Sequence, residues 1–457
     1  MSSDAYIKFA ITLGSASVLV FAYFDRTREL MFELLWASPW GRVFAVEAIF
    51  WGAVLLLWSL WRLWLAFRYT PFPTVDDNDL PRITVVVPAF NEGSLITRTL
   101  QHLARVDYPT SRMQILVVDD GSVDDTWFHI QQAAKDIGPR LRTIRCKDNR
   151  GKRWALWEGF RRSGGDVLVT VDSDSLIEPD ALKALISPIV QDESIGAVAG
   201  NARVLNRNEG LVPRMLAVRF VIAFDYKRAA QSMMDGGSVL CVAGALAAYR
   251  RAAVLPALDG WLHQTFLGGK ARAGEDHSMT NYILEQGYKV VYQRTARVLT
   301  QVPTSLSGLA KMFLRWSRSN VRETVHLTQF IFSPFRKSPL RATRLNCAIY
   351  TLSLFVLFPF GLAFLFAAVI WLDVFGVKLL AASVMASSLS AAFYTWRERD
   401  TDGAYGILYG ILATFLLWWI WPFALATCRR SVWLTRSSPR RATKCVSSHL
   451  TTEAPTG

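Results

Sequence analysis

The chain has 457 residues, of which 51% are hydrophobic and 19% are charged. Because average soluble domains contain about 25% charged residues, this composition excludes a disordered chain and argues against an ordinary soluble enzyme. The formal net charge of +14 leaves three partner classes open: nucleic acid, a membrane surface, or an anionic substrate such as a nucleotide. The spacing of the five cysteines fits neither a disulfide scaffold nor a cysteine zinc site.

Apolar segments that could span a bilayer cluster at the two ends of the chain. A crossing helix needs roughly 20 apolar residues to cover about 30 Å of hydrocarbon. Five segments meet this length: 5–24, 43–67, 347–373, 375–396 and 405–428. They predict an integral membrane protein, and the N-terminus lacks the features of a cleaved signal peptide.

Basic residues at the edges of the polar middle segment predict which side of the membrane it faces. Arg62 and Arg68 precede this segment, and Arg341 and Arg344 follow it. The positive-inside rule then predicts a protein of the plasma (inner) membrane with this segment in the cytoplasm. Three C-terminal crossings would put the tail outside, whereas the basic charge of residues 429–457 argues for inside. One C-terminal segment is therefore re-entrant or lies flat, or a further crossing exists, and we favour a cytoplasmic tail.

The middle segment alternates strand and helix patterns. Apolar, β-branched runs at 83–87, 115–118 and 167–171 each lead into polar residues. Such strands, separated by helices, predict an α/β domain with a mostly parallel sheet and helices on both faces. We divide the chain into two N-terminal transmembrane helices (1–67), a cytoplasmic domain (68–305), amphipathic interface helices (306–344), a C-terminal transmembrane region (345–428) and a basic tail (429–457).

Polar motifs follow all three strands, at the edge of the sheet where ligands bind in such folds. Asp172 and Asp174, two residues apart after the third strand, are hard oxygen ligands that suit Mg²⁺ or Mn²⁺ bound to phosphate. An Asx turn or a helix cap is the alternative, and the second acidic strand end favours the metal site. The three motifs are Pro88-Ala89-Phe90-Asn91-Glu92, Asp119-Asp120-Gly121-Ser122 and Asp172-Ser173-Asp174.

Two further motifs have both a structural and a functional interpretation. Gly151 and Lys152 lie in a basic loop, which is either a solvated turn or a contact for a diphosphate. Glu275 and Asp276 precede a predicted helix, where an acid is either an N-cap or a general base.

The last motif lies in an amphipathic region, 307–333, beside the first C-terminal membrane segment. Arg315, Trp316, Arg318 and Arg322 suit membrane anchoring. The same arginines suit a clamp on a diphosphate leaving group, with the Trp316 ring as an apolar face for a sugar. The sequence pattern leaves both interpretations open.

Taken in order, these motifs resemble those of processive family 2 glycosyltransferases, the group that includes hyaluronan, chitin and cellulose synthases and the NodC chitooligosaccharide synthases. The resemblance covers about residues 80 to 325. The segments 172–175, 261–268 and 315–323 are most similar to hyaluronan and chitin-type synthases, and Trp433-Leu434-Thr435-Arg436 resembles their cytoplasmic W-G-T-R element. The resemblance implies a GT-A-like domain in a membrane-embedded, inverting hexosyltransferase that builds and exports a β-linked polysaccharide from UDP-sugars.

The resemblance also implies a role for each matching residue. On the donor side, Asp119 and Asp120 would contact the uridine or its sugar, and Lys152 the nucleotide. Pro88, Asn91, Glu92 and Arg318 would complete the donor side. Asp172 and Asp174 would flank the donor and its Mg²⁺ or Mn²⁺, with Asp174 the better ligand. Asp276, beside Glu275, would be the base, Arg315 would stabilise the leaving UDP, and Trp316, Cys241 and Gly244 would line the acceptor site.

The sequence departs from the family pattern around the acceptor. Met312 occupies the usual Gln position of the Q-x-x-R-W motif, and His277 replaces an arginine that often follows the acidic pair. Ala243 and Ala245 replace Ser and Pro. These changes leave the product open.

The resemblance favours UDP-GlcNAc as donor, alone or alternating with UDP-glucuronate in a hyaluronan synthase-like enzyme. A chitin or chitooligosaccharide synthase that uses UDP-GlcNAc only, and a non-processive lipid-phosphate glycosyltransferase, are the alternatives. The expected partners are the donor, the growing polysaccharide and the bilayer. Nucleic acid is not expected, because the basic excess lies at the membrane edges, and the oligomeric state stays open.

Overall fold

The computed structural model of the chain describes residues 3–25, 27–337, 339–355, 362, 366, 369 and 376–430. The N-terminal region forms helices Ser3–Phe24, Thr27–Ala37 and Pro39–Arg68. The third helix has a defined start, because Ser38 Oγ accepts a hydrogen bond from the Gly41 amide at 3.0 Å and a proline occupies the first helical position.

An eight-stranded sheet, counted within the described ranges, forms the centre of the globular domain. Six of its strands run in one direction, and β7 and β5 run against their neighbours. The mostly parallel α/β sheet predicted from the sequence is thus confirmed. The strands are β1 (Ile83–Ala89), β2 (Met113–Asp119), β3 (Leu141–Arg145), β4 (Val167–Val171), β5 (Ser175–Ile177), β6 (Ile195–Val204), β7 (Leu246–Arg250) and β10 (Lys289–Thr300), in the spatial order β3-β2-β1-β4-β7-β6-β10-β5, while β8 (Thr265–Phe266) and β9 (Gly269–Lys270) form a separate hairpin.

Helices connect the strands and pack against the sheet, and the apolar side chains of β1, β2 and β4 form its fully buried core. A π-helical segment, Ile222–Arg228, follows one of the helices, and the long helix Leu306–Phe330 coincides with the amphipathic region seen in the sequence. The other helices of the domain are Leu95–Ala104, Thr126–Ile137, Lys152–Arg161, Ala181–Gln191, Leu211–Val221, Ala229–Met233, Arg251–Val254, Leu258–Leu262 and Glu275–Glu285.

Three described helices are long and apolar enough to cross a membrane: Asp4–Phe24, Pro39–Arg68 and Val377–Glu398. They correspond to three of the five predicted segments, and many of their large apolar side chains are exposed, as expected for contact with lipid. The predicted segment 347–373 falls largely outside the described residues, and its first part belongs to helix Arg341–Phe355.

The last apolar segment is bent, with helices Thr401–Phe415 and Ile420–Thr427 meeting at 55°. At its start, Arg207 lies 3.2 Å from Asp400. At its end, Arg322 Nη1 donates to the Cys428 carbonyl at 3.0 Å. Both ends therefore lie against the globular domain.

This geometry bears on the open question of how often the C-terminal region crosses the membrane. A segment that begins and ends against the same domain has the geometry expected of a re-entrant or flat segment, which is one of the predicted alternatives, and the crossing count stays a prediction. The chain at Cys428 is then on the domain side. The predicted tail 429–457, apart from its first two residues, and the element Trp433-Leu434-Thr435-Arg436 lie outside the described residues.

A buried aspartate ties the globular domain to the last described crossing helix. Asp225 is fully buried, and its Oδ2 accepts hydrogen bonds from Arg203 (2.5 Å) and from Arg397 of that helix (3.2 Å). Its Oδ1 accepts from Arg294 (3.1 Å) and from the Tyr292 hydroxyl (2.7 Å). Burial alone would raise the pKa of Asp225, but the surrounding arginines outweigh burial and hold the pKa below its usual value.

Asp225→Asn should strongly destabilise the protein, because it leaves three guanidinium groups around a neutral side chain. Loss of one partner from a buried ion cluster lowers the free energy of unfolding by about 3–5 kcal/mol. Thermal unfolding of the detergent-purified chain measures this. Asp136→Asn, at an exposed aspartate of helix Thr126–Ile137, is the matched control. Equal melting temperatures for the two variants would contradict the structural role of Asp225.

Candidate active site

The ends of β1 and β2 meet through Asp120. Its amide donates to the Ala89 carbonyl at 2.9 Å, and its carboxylate accepts from the amides of Arg150 (3.0 Å) and Gly151 (2.7 Å). Burial raises the pKa of Asp120 to about 6. Asp120 thus anchors the loop that leads into Lys152.

Asp119 and Asn91 shape the neighbouring turn. The Asp119 carboxylate is fully buried and accepts from the Ser122 amide at 3.0 Å, with Arg145 Nε at 3.7 Å from its other oxygen. Asn91, at a φ of +52°, accepts from the Val123 amide at 3.0 Å through its side chain. The predicted donor residues therefore also hold the strand-end loops in place.

The loop after β1 is fastened to the loop after β4. Ser173 Oγ donates to Glu92 Oε1, and the Glu92 amide donates to Thr126 Oγ1 at 2.7 Å. Pro88 is a buried member of β1, aligned with Val118 of β2. The three strand-end motifs thus lie side by side, as their positions in the sequence predicted.

Lys152 is the centre of the charged part of the site. It begins helix Lys152–Arg161, and its Nζ lies 2.5 Å from Asp172 Oδ1 and 2.9 Å from Glu275 Oε1. Burial lowers the pKa of Lys152, but the carboxylates of Asp172, Glu275 and Asp276 outweigh burial, so the pKa lies above its usual value. Residues from three distant parts of the chain therefore form one ion cluster.

The two adjacent acids, Glu275 and Asp276, have different surroundings. Burial would raise the pKa of Glu275, but Lys152 outweighs burial and holds the pKa below its usual range. Asp276 accepts from the amides of His277 (2.8 Å) and Gly244 (3.2 Å), and burial followed by the charge of Glu275 raises its pKa. One acid stays firmly ionised, while its neighbour takes up a proton more readily, as a general base requires.

The backbone before this pair lies directly against helix Leu306–Phe330. Gly274 has a φ of +79°, and a Cβ at this position would overlap with Ser319 Oγ. Arg322 of the same helix donates to the Ala273 carbonyl at 2.7 Å. The sequence motif contained this glycine, but nothing in the pattern indicated its contact with the helix.

The residues of the arginine–tryptophan motif have different neighbours along that helix. Arg315 is close enough to Glu275 to contribute to lowering its pKa. Trp316 is 39% exposed, and its ring lies 5.5 Å from that of Phe313. Arg318 donates instead to Thr427 Oγ1 of the bent C-terminal pair at 3.0 Å. The structure does not bring Arg318 to the ion cluster, so its donor contact stays a prediction.

The predicted acceptor residues flank Asp276. Gly244 lies so close to Lys152 that an added Cβ would be 2.9 Å from its Nζ. The Cys241 carbonyl accepts from Arg228 Nε at 2.9 Å, and burial, followed by the nearby Asp276 carboxylate, raises the pKa of the Cys241 thiol to about 12. Met312 is buried, so an apolar side chain packs inside where the family pattern has a glutamine.

Over residues 81–319 the sequence matches the family described as glycosyltransferase like family 2. The chain belongs to this family. It is 32% identical over 391 residues to a hyaluronan synthase of Streptococcus pyogenes, covering 84% of this chain and 90% of that protein. It is also 32% identical over 370 residues to an N-acetylglucosaminyltransferase of Rhizobium leguminosarum bv. viciae, covering 81% and 85%.

A solved structure shares the fold. The mannosyltransferase PcManGT from Pyrobaculum calidifontis, in complex with GDP-Man and Mn²⁺, superposes with a TM-score of 0.54 at 23% identity. The alignment covers 81% of this chain and 97% of that one. The family, the GT-A-like fold and the hexosyltransferase class predicted from the motifs are confirmed, and the helices make this glycosyltransferase a membrane protein.

A buried network behind the acid pair positions it, and sequence reasoning missed this network. Trp261 is almost fully buried, and its Nε1 donates to the Glu275 carbonyl at 2.9 Å. Arg153 donates to the Trp261 carbonyl (2.7 Å) and to Gln264 (2.9 Å), and Gln264 donates to the buried Glu323 (3.2 Å). Trp261, in the short helix Leu258–Leu262, and Gln264 just after it gave no local signal of this role.

The close approach at Gly274 predicts a compensating pair of substitutions. In Gly274→Ala, the overlap with Ser319 must displace the acid pair from Lys152. A displacement near 1 Å costs about 100-fold in turnover. Adding Ser319→Gly should restore much of this loss, as measured by glycosyl transfer.

Gly138→Ala is the matched control for this pair. Gly138 has a similar φ of +76°, but no atom lies near its Cβ position. Its variant carries at least as much backbone strain, because Gly138 has a ψ of −153° where Gly274 has 36°, but it lacks the overlap. If Gly138→Ala impaired transfer as much as Gly274→Ala, or Ser319→Gly restored nothing, the contact would not control the site.

Proposed function

We propose that this chain is a membrane-embedded, inverting, processive glycosyltransferase that polymerises sugars from UDP-sugar donors into a β-linked polysaccharide and exports it. The donors are UDP-GlcNAc and UDP-glucuronate in alternation, as in a hyaluronan synthase. The ion cluster of Lys152, Asp172 and Glu275 beside Asp276 is the observation that carries the proposal. Relatives that match most of the chain are named hyaluronan synthase and N-acetylglucosaminyltransferase, and they support it. The second of these names supports one alternative, a chitooligosaccharide synthase that uses UDP-GlcNAc only.

The donor lies at the ends of β1, β2 and β4. Asp119 and Asp120 face the uridine or its sugar, with Pro88, Asn91 and Glu92 shaping that side. The Lys152 ammonium is placed for a diphosphate, since it already binds two carboxylates. Arg315, close to Glu275, offsets charge on the departing UDP.

A divalent cation, Mg²⁺ or Mn²⁺, fits the carboxylates after β4. Asp172 and Asp174 are partly accessible and offer hard oxygen ligands. Asp174 is the better ligand, because Asp172 Oδ1 is bound by Lys152. Within the described ranges no three acidic, His or Cys side chains group as metal ligands, so the diphosphate would supply further oxygens. When bound, the ion would neutralise charge on the leaving diphosphate.

Asp276 is the general base. It takes the proton of an acceptor hydroxyl while that oxygen bonds to the sugar C1, and the bond from C1 to the UDP oxygen breaks. Glu275, held ionised by Lys152, raises the proton affinity of Asp276 without competing for the proton. The raised pKa means that activity is lost, as the pH falls, at a higher pH than an ordinary aspartate would give.

The acceptor enters from the side of Gly244, Cys241 and Trp316. The Gly244 amide orients Asp276, and the exposed face of Trp316 suits stacking with a sugar ring.

A UDP-release assay with the purified full chain tests the function. UDP-GlcNAc and UDP-glucuronate together should release far more UDP than the sum of each alone, and Asp276→Asn should reduce release by at least about 100-fold. Asp136→Asn should match the wild type. Product length separates the lipid-phosphate alternative, which adds one sugar only. Full release from UDP-GlcNAc alone would favour the chitin-type enzyme, and unchanged release by Asp276→Asn would refute the assigned base.

Orientation and export form the second part of the proposal. We place the globular domain (68–305), the interface helices (306–344) and both chain ends in the cytoplasm, at the plasma (inner) membrane. Vesicles that contain only this protein, with the domain outward, should accumulate polymer inside when UDP-sugars are added outside. Polymer found only in the outer medium would refute export by this chain.

A further inference from the structure

Arg322 belongs to the region of the arginine–tryptophan motif, but it is not placed to bind a diphosphate. The residue is only 2% exposed. Its Nη2 donates to the Ala273 carbonyl at 2.7 Å, and its Nη1 donates to the Cys428 carbonyl at 3.0 Å. Its Nε has no hydrogen-bond partner among the described residues. Arg322 therefore connects two backbone segments and is closed to a substrate.

The two carbonyls belong to distant parts of the chain. Ala273 lies just before helix Glu275–Glu285, which begins with the acid pair. Cys428 directly follows helix Ile420–Thr427, the second half of the bent C-terminal pair. Carbonyls at the end of a helix carry partial negative charge, so a guanidinium is favourable there. A single side chain thus connects the catalytic acids with a membrane element.

Three residues, spaced four apart on helix Leu306–Phe330, contact the second half of the bent pair. They are Leu314, Arg318 and Arg322. Residues with this spacing lie on one face of a helix. The first packs against Ile420 and Ala424, the second donates to Thr427 Oγ1 at 3.0 Å, and the third donates to the carbonyl that follows. The bent pair is therefore docked along one stripe of this helix, and the stripe ends beside the acid pair.

The loop before the acid pair also touches the end of the bent pair directly. The β8–β9 hairpin leads into this loop, and a Cβ on its Gly269 would lie 3.2 Å from the Arg429 carbonyl oxygen. At the end of the loop, Gly274 packs against Ser319, which lies one turn before Arg322. The same group of contacts thus fixes the end of the bent pair and the start of the acid pair.

The glycine before the acid pair makes the Arg322 bond important. Gly274 has a φ of +79° and no side chain, so it restrains its own peptide weakly. The bond from Arg322 holds the carbonyl of that peptide. Without it, the start of helix Glu275–Glu285 could shift relative to Lys152, whose Nζ lies 2.9 Å from Glu275. A shift near 1 Å at reacting groups costs about 100-fold in turnover.

We propose that Arg322 is a positioning residue, which holds the acid pair against the bent C-terminal pair. The bent pair is then part of the catalytic unit, and its docking on helix Leu306–Phe330 sets the rate of glycosyl transfer. This inference rests on the proposed function, because it takes Asp276 as the general base.

UDP release by the detergent-purified full chain, with UDP-GlcNAc and UDP-glucuronate, tests the role of Arg322. Arg322→Gln should lower kcat at least about tenfold while the KM for each UDP-sugar stays within about twofold, because the donor residues after β1, β2 and β4 keep their places. Arg322→Lys should give an intermediate kcat, because a single ammonium lacks the fork that lets a guanidinium hold two carbonyls.

Arg250→Gln is the matched control. Arg250 also donates to backbone carbonyls, those of Ile195 (2.9 Å), Ile189 (2.7 Å) and Asp192 (3.1 Å). It ends β7 beside the first residue of β4, whereas the site lies after the last residue of β4. This variant should lower the melting temperature, as Arg322→Gln does, but leave kcat at the wild-type value.

A substitution in the bent pair breaks the same connection from the membrane side. Ala424 is fully buried against Leu314, so Ala424→Leu should push the bent pair away from the helix and lower kcat as Arg322→Gln does. Because both changes break one connection, the double variant should lose no more kcat than the more impaired single variant. Losses that multiply would indicate two independent effects and would overturn the proposal.

Unchanged kcat in Arg322→Gln, or an equal loss of kcat in Arg250→Gln, would also overturn it. So would a rise in KM that accounts for the whole loss in kcat/KM. If Arg322→Gln does not fold, Arg322→Lys and Ala424→Leu are judged by the same criteria. Failure of the proposed function has a different signature, because Asp276→Asn would then release UDP like the wild type.

Discussion

The buried ammonium of Lys152 is the interaction on which the site depends. It holds the end of β4, through Asp172, against the start of the helix that carries Glu275. Without it, two carboxylates and Asp276 would share a poorly hydrated space and repel one another. Asp120 supports this arrangement, because its carboxylate holds the loop that leads into Lys152.

Local patterns in the sequence predicted the strands and their polar ends, because a buried parallel strand and the loop after it are short and continuous. The runs at 83–87, 115–118 and 167–171 appear as β1, β2 and β4, with their motifs side by side. The antiparallel β7 between β4 and β6 was not predicted, since an apolar run such as Leu246–Arg250 carries no sign of its direction.

Sequence patterns also did not predict the contacts between distant segments. The overlap that forbids a side chain at Gly274 arises from Ser319, and the support of Glu275 comes from Trp261. The first depends on how helix Leu306–Phe330 packs against the start of helix Glu275–Glu285, and the second on how helix Leu258–Leu262 packs there. Periodicity and composition report neither, because they describe one segment at a time.

The positive charges of the chain serve two separate purposes. Arginines around Asp225 are structural, since they join the domain to a membrane helix. Lys152 holds the carboxylates of Asp172 and Glu275 together in the active site. The net charge alone could not distinguish these uses, because each depends on which acids lie nearby.

The contacts of the first helix constrain how the protein is made. Lys8 pairs with Asp402 at 2.5 Å and donates to Thr401, which lies 393 positions later in the chain. At roughly 5–20 residues per second, the ribosome needs about 20–80 s to deliver that partner. Among the described residues, the other acid in contact with Lys8 is Asp4, one helical turn away at 2.8 Å, and it can neutralise Lys8 during this interval. The first helix can therefore form these contacts only after residues 401 and 402 have been synthesised. Its final docking is then among the last steps of assembly.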